Sequence, residues 1–494
     1  QSGFLIPKFN NSSNLGSSIQ IPYYNVLSGN KDLTVSPRVF LNDKFIFQSE
    51  YRQANLNSNA IFDQSFLMTK NETTSHFFSN FRKNIDKDFL EINVETVSQK
   101  NYLKKYDINS PLIDNKSSLN SYLSYEKNSG ESYFFTSLEV FEDLTKPNND
   151  SFEYIYPNYI YNKDFYTNDK SIEFYSRGYQ KKYETNKYDG LIVNDLNLIS
   201  SLNYTNNNLL NQYSINFKNV NSKGDNSDNF RDGSDNKLLA QYIFNTSLPL
   251  IKKQENFNSY FTPKLSFRFS PTDTRNLKKD DLRIDYANLF STNRISSDDT
   301  LEGGESLTLG TEFSLRDKSE IEKINFAVGQ VFRINENDDL PEVSSIGNKR
   351  SDVIGKFKFF PNDLVNLNYS FSADKNVENL NYNFLETNFS YNNFLTSFKY
   401  LKSENVIQDK SYISNTTKFN FNKKNSLSFS TNKNLEKDLT EYYDLIYQYE
   451  NDCLVAAVEY KKNYYNDADI TPDENVFFSI KIVPFGKINT SSKN

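Results

Sequence analysis

Apolar side chains alternate with polar ones along most of this chain, and period two is the signature of an extended strand with one apolar face. Leu265, Phe267 and Phe269 share a face, as do Leu307, Leu309, Phe313 and Leu315. Ile324, Phe326, Val328, Phe332 and Ile334 continue the pattern with a break at Gln330, and Leu367, Tyr369 and Phe371 follow. Near the end come Tyr443, Leu445, Tyr447 and Tyr449, then Val476, Phe478, Ile480 and Ile482. Turn-like polar clusters separate the runs: Asn206-Asn207-Asn208, Asn221 to Asn226, and Asn335 to Asp339. No stretch carries a helical period, and no repeat of fixed length points to a propeller or solenoid. The expected fold class is all-β.

Two architectures accept many such strands. A soluble β-sandwich or β-helix buries the apolar face. A transmembrane barrel turns it out to lipid around a polar lumen. Size separates them. Soluble all-β domains rarely exceed about 250 residues, whereas this chain has 494 and no Pro-, Gly- or Ser-rich linker divides it. The expectation is a single domain over residues 1–494, a large antiparallel transmembrane β-barrel. The chain has 42 Phe and 34 Tyr but no Trp. That aromatic content is too high for a disordered chain and suits the interfacial girdles of a barrel. The mean hydropathy of -0.71 is too polar for a bundle of spanning helices. No run approaches the roughly 20 apolar residues that a spanning helix needs.

Pro7 and Pro22 stand inside stretches that otherwise read as the first two strands, Ser2 to Phe9 and Ile19 to Val26. Proline brings no N–H to a ladder and is confined to edges, strand starts and bulges. If the chain is one closed sheet, its weak place lies here, where the first strand meets the last, Val476 to Ile482. Edge prolines also discourage aggregation before closure. Both readings stand at the level of sequence.

Catalysis has little support. The one His, His76, would have to serve any His-based triad, and it reads more simply as a polar loop or lumen residue. One His and one Cys make no zinc site of ordinary ligands, and neither metal nor cofactor is expected. The pairs Asp280-Asp281, Asp298-Asp299 and Asp338-Asp339 read as solvated loops, with divalent cations bridging lipid phosphates as the alternative. Glu302-Gly303-Gly304 lacks the Lys-Ser/Thr tail of a phosphate loop. A net charge of -7 argues against nucleic acid. Cys453, the single cysteine, is either a small buried apolar residue or one whose partner lies outside this sequence.

Several motifs occur in order. Gly3-Phe4-Leu5-Ile6-Pro7 comes first, then Ile21-Pro22-Tyr23-Tyr24-Asn25, Asp32 to Pro37-Arg38, and Glu50-Tyr51-Arg52. Tyr102 to Asp107 follows, then Asp285 to Asn288, Asn293-Arg294, Glu302-Gly303-Gly304, and Tyr449 to Leu454. In this order the chain resembles the barrel of the lipopolysaccharide-assembly LptD family. It departs at Asn25, where the family commonly carries Trp, and after Arg294, where the loop lacks the family's Gly and Asp-Arg.

The resemblance implies a Gram-negative outer-membrane barrel of about 26 strands. That leaves roughly 19 residues for each strand and its loop, enough for the roughly 9–11 of a spanning segment. It implies lipopolysaccharide as substrate and insertion through a lateral gate formed by Pro7, Pro22, Val476, Phe478, Ile480 and Ile482. It further implies an LptE-type lipoprotein plug, a periplasmic lipid-bridge component of the same system, and no enzymatic activity. Cys453 would pair with a cysteine near the N-terminus of the full-length protein. A periplasmic jellyroll would precede the barrel. The chain starts at Gln1 with no signal peptide and is expected to be a fragment or processed form. A passive porin or receptor barrel remains the alternative, followed by a soluble carbohydrate-binding β-protein.

Overall fold

Strand follows strand in antiparallel order from Gly3 onward, and the last strand, Asp473–Ile482, pairs back onto the first, so the sheet closes on itself. The computed structural model describes residues 2–12, 15–41, 44–69, 73–167, 169–406, 408–451, 454–464 and 472–482. Its 30 hydrogen-bonded segments make 26 strands, because four strands are interrupted. The first strand is Gly3–Phe4 and Lys8–Ser12, and the second is Gly16–Gln20 and Tyr23–Ser28. Further on, Lys187–Ser200 continues as Asn203–Tyr204, and Gly233–Ser247 as Leu250–Lys253. Pro7, Pro22 and Pro249 occupy three of the four gaps, where the missing N–H ends a ladder. The stretches expected as continuous first and second strands are therefore broken ones. Two smaller expectations also change. Asn221 to Asp225 is not a turn but the end of the strand Leu210–Asp225. A single helical turn, Tyr102–Lys105, is present, too short to show a period.

Closure decides where the alternating faces point. The apolar positions Phe267, Phe326 and Phe478 are 37%, 39% and 37% exposed on the outer wall. Their chain neighbours Ser266, Arg268 and Asn325 are buried on the inner one. Phe371 belongs to the same belt, half-buried because its ring lies over Gly355 of the adjacent strand, where a Cβ would collide with it. The side chain of Ile480 lies outside the described residues. This is the polarity of a membrane barrel, apolar outside and polar within.

Connections differ at the two ends of the wall. At one end, two residues suffice to join Ser28 to Lys31, Ile85 to Asp88, Asn362 to Val365 and Tyr391 to Phe394. At the other end run the long loops 98–117, 271–303 and 334–352. Outer-membrane barrels keep short turns in the periplasm and long loops outside. The even strand count puts both ends of the sheet at the periplasmic side.

The long loops fold inward. Tyr102, Leu103, Tyr106 and Ile108 pack on Phe40, Ile46, Leu67 and Phe78 of the wall. Leu277, Ile284, Tyr286, Leu289 and Ile295 pack on Ala327, Val331 and Ile354. Gly310 and Gly329 stand opposite each other in register and leave room for the second loop. A Cβ on Gly310 would lie 2.8 Å from the Phe290 ring, and one on Gly329 would lie 2.5 Å from Leu289.

Charge fixes that same loop. The Glu302 carboxylate accepts from Arg294 Nε at 2.6 Å and Nη2 at 2.5 Å, and from Arg333 Nη1 at 2.7 Å. Arg268 Nε lies 3.8 Å away, and its two Nη atoms donate to the carbonyls of Thr292 and Ser291. Arg294 also reaches Thr308 and Ser306 on the wall. All four charged side chains are at most 2% exposed. Burial alone would raise the Glu302 pKa, but Arg294 and Arg268 together with the hydrogen bonds hold it down at about 2.

Replacing Glu302 by Gln would leave three buried guanidinium groups around a neutral amide. Loss of one partner from a buried ion cluster costs about 3–5 kcal/mol. Since the ladder does not depend on this cluster, the barrel is expected to keep its folded electrophoretic mobility while protease cleavage within 271–303 rises sharply. Unchanged cleavage would show that the apolar contacts alone hold the loop. The depressed pKa also sets an acid limit. The anchor contributes fully above the ordinary carboxylate value of 4.5 and is lost as pH falls toward about 2. Roughly 3 kcal/mol is at stake over that window. Protease protection of the loop should therefore be constant from neutral pH to about pH 5 and then decline.

Candidate functional site

Among the described residues, the seam between first and last strands is the shortest full contact in the wall. Its rungs are Lys8 with Ser479, Phe9 with Phe478, Asn10 with Phe477, Asn11 with Val476 and Ser12 with Asn475. On its other side the last strand makes ten such pairs, Asn463 with Asp473 through Leu454 with Ile482. The seam ladder stops where Pro7 begins. Ile480, Lys481 and Ile482 pair with Ala456, Val455 and Leu454, and among the described residues with nothing on the first strand. Gly3 and Phe4 pair instead with Tyr24 and Tyr23 of the second strand.

Pro7, Pro22 and Pro37 lie at one level across three neighbouring strands. The Leu5 N–H donates to the Pro22 carbonyl at 2.8 Å, and the Ile21 N–H donates to the Pro37 carbonyl at 3.0 Å. One bond thus carries each interrupted junction. A proline gap alone does not make a seam. At Pro249 the Leu248 N–H donates to the Pro263 carbonyl at 3.0 Å, and pairing resumes from Leu250 to Lys253. At Pro7, by contrast, the last strand runs on through Ile480 to Ile482 and, among the described residues, the first strand does not rejoin it.

Behind this junction lies a luminal hollow of about 370 Å³, bounded by Leu5, Ile6, Lys8 and Pro22 of the broken strands and by Arg38, Gln48 and Glu50 beyond them. The inward loop roofs it with Asp107, Ile108 and Asn109. Arg38 fastens roof to wall. Its Nε donates to Ser18 Oγ at 3.0 Å, its Nη1 to the Tyr106 carbonyl at 2.7 Å, and its guanidinium lies 4.7 Å from the Phe40 ring centre. Gln48 donates to the Asn109 carbonyl at 2.9 Å. Burial would raise the Asp107 pKa, but the Lys116 ammonium 2.5 Å away, with Arg38 beyond it, brings it below the usual carboxylate range.

The motif residues divide between this junction and the loop anchor. Tyr23 meets Phe4 edge-on at 5.0 Å, and Tyr24 pairs with Gly3. Asp32 binds Arg52 at 2.8 Å. Asn288 and Asp285 exchange backbone-to-side-chain bonds in a turn, and Asn293 donates to the Ser297 carbonyl at 2.8 Å. Arg294 and Glu302 form the centre of the anchor. Sequence reasoning missed Arg268 and Arg333. Alternation held the signal, since each is a cation at an inward position between outward apolar residues, Phe267 and Phe269 or Phe332 and Ile334. Val476 and Phe478 face outward at the seam, 44% and 37% exposed. The side chains of Ile480 and Ile482 lie outside the described residues, as does Cys453.

His76 is an inward wall residue. Ser65 Oγ lies 2.6 Å from its Nδ1, and Asp63 Oδ1 lies 3.5 Å from its Nε2. The three types are those of a hydrolytic triad, but Ser65 also bonds Tyr102 at 2.7 Å, and Asp63 and Ser65 have no exposed surface. A nucleophile sealed beneath the inward loop meets no substrate. Members of two of the acidic pairs are held by cations: Asp298 by Arg177 at 2.9 Å, and Asp299 and Asp280 by Arg275 at 2.8 and 3.7 Å. Among the described residues no group of three potential ligands converges on a metal position.

Comparison with known proteins bears on the family of the chain. An LPS-assembly protein LptD from Acinetobacter baylyi is 25% identical over 269 residues, covering 49% of this chain and 31% of that one. The LPS-assembly protein LptD of Psychrobacter arcticus is 22% identical over 548 aligned positions, covering 98% of this chain and 58% of its own length. The chain thus spans between 31% and 58% of the length of these relatives. Among solved structures, the alcaligin outer-membrane receptor FauA from Bordetella pertussis overlaps 98% of the chain and 75% of the receptor, with 8% identity and a TM-score of 0.33, too low to bear on function. The profile of the LPS transport system D family, LptD, matches residues 38–439, which holds most of the wall and the three inward loops. The chain therefore belongs to the LptD family and is a Gram-negative outer-membrane β-barrel.

Proposed function

We propose that residues 1–494 act as a single barrel unit that takes lipopolysaccharide through its lumen and releases it sideways between the first and last strands. Lipopolysaccharide has a sugar head suited to water and acyl chains suited to lipid. Its head can follow a polar lumen only if its tails leave through the wall. A wall in which every backbone group is paired has no side exit.

The observation that carries this reading is the seam of five rungs that stops at Pro7, beside a junction held by single bonds. Each backbone hydrogen bond contributes on the order of 1 kcal/mol net. Parting five rungs therefore costs about half of what parting a ten-rung neighbour would. The hollow behind Pro22 offers hydroxyl, amide and charged partners at the height of the gap, suited to a sugar head waiting there. Barrels of this size leave an open lumen unless it is filled. The inward loops occupy its extracellular end, so an LptE-type lipoprotein entering from the periplasm completes the seal. A periplasmic lipid-bridge component docks below and supplies the substrate.

The test is a lock. Asn10 and Phe477 stand opposite each other across the seam. Cells depending on an Asn10→Cys/Phe477→Cys variant of the full-length protein are expected to lose most surface lipopolysaccharide when the pair is oxidised and to regain it on reduction, with assembly unchanged throughout. The Pro7→Ala/Pro22→Ala variant, which restores two donors, should deliver several-fold more slowly in an assembled barrel. Normal surface delivery through a covalently closed seam would exclude lateral release and leave the prolines an anti-aggregation role.

A further inference from the structure

The periplasmic rim of the wall, away from the seam, carries an outward groove of about 530 Å³. Its floor is apolar and lies on four consecutive strands: Phe257, Leu315, Ile324 and Phe359. These side chains lie on the outer face. Leu315 pairs with Ile324 and Ile324 with Phe359, in step with outward Phe326. Its rim holds Lys318, on the tight turn after the strand Gly304–Asp317, and Lys323, at the start of the strand Glu322–Arg333.

Lys323 reaches this face because the strand bulges. Leu315 pairs with Ile324 but Arg316 pairs with Glu322, so Lys323 is the extra residue opposite no partner. A bulge re-aims a side chain that strict alternation would send to the other face. Here alternation from outward Ile324 would send Lys323 into the lumen. Instead its ammonium comes within 3.3 Å of Asp317. The Asp317 carboxylate is already engaged, accepting from the Ser319 N–H at 2.9 Å and the Ile321 N–H at 3.1 Å to close the turn. Lys318 makes no ion pair among the described residues. The rim therefore offers two ammonium groups against one committed carboxylate, with donors to spare on both.

We infer that this groove binds one anionic phospholipid of the periplasmic leaflet. An acyl chain lies along Phe257, Leu315, Ile324 and Phe359, and the phosphate sits between Lys318 and Lys323. The order of polarity is that of the ligand, apolar toward the bilayer and cationic at the headgroup level. Basic pockets at that level select anionic headgroups. The net positive rim favours a lipid carrying net negative charge over a zwitterionic one. The inference rests on the orientation of the barrel and not on the lateral gate.

Because the chain has no Trp, one substitution makes a sole fluorescent reporter. The full chain carrying Phe359→Trp would be reconstituted in phosphatidylcholine bilayers containing, at equal mole fraction, either brominated phosphatidylglycerol or brominated phosphatidylcholine. Quenching is expected to be at least threefold stronger per brominated phosphatidylglycerol. Adding Lys318→Gln and Lys323→Gln should remove that preference, while Lys423→Gln with Lys424→Gln, on a distant turn, should leave it. Equal quenching by the two lipids with both lysines present would overturn the site, whether or not the lysine variant folds. A preference that survives the Lys318/Lys323 change would overturn it too, since bulk charge and not the groove would then be the cause.

Discussion

A hydrogen-bond ladder closed in a medium without water is the constraint from which the other features of this barrel take their meaning. In the hydrocarbon core an unpaired N–H or C=O has no solvent to turn to, so the stable wall is one in which each strand has two neighbours. Antiparallel pairing of Asp473–Ile482 with Lys8–Ser12 supplies the last of these neighbours. In a soluble sheet the same five rungs would be an ordinary edge contact. Here they are the point at which the whole cylinder is least held. Pro7 ends the ladder there, and Pro22 interrupts the strand behind it, where the Leu5 N–H still pairs with the Pro22 carbonyl.

A large cylinder has a second problem, because nothing in the ladder fills it. The chain answers with its own loops. Loop 98–117 brings an apolar patch to the inner wall beside the seam, and Arg38 ties that patch to the second strand. Loop 271–303 is held by apolar contact and by a buried ion cluster, Glu302 among Arg268, Arg294 and Arg333. A buried charge is costly unless it is paired and hydrogen-bonded. The partners in this cluster join the loop to the wall: Arg268 and Arg333 of the wall bond the loop, and Arg294 of the loop bonds Thr308 and Ser306 of the wall. The cluster therefore favours one placement of the loop over others of similar apolar burial. Arg38 serves the first of these attachments and Arg294 and Glu302 the second, while Tyr23, Tyr24 and Asp32 lie on the strands at the seam junction.

Alternation in the sequence determined the class of fold, which residues share a face and the placement of most strands, because strand geometry converts period two into two faces without reference to any distant residue. It also exposed Pro7 and Pro22 as ladder breaks, since the missing N–H is a local property. It could not show that Leu250 to Lys253, beyond Pro249, rejoin a neighbour while the last strand runs past Pro7 with no partner on the first strand among the described residues. That difference lies in the partner strand and the register, and in this wall the decisive partner is at the far end of the chain. The convergence of Arg268 and Arg333 on Glu302, the roof that Asp107 to Asn109 make over the hollow, and the sealing of Ser65 beside His76 are of the same kind. Each depends on which loop folds back into the lumen. Only the closed three-dimensional wall decided that, because only closure creates an inside for the loops to enter.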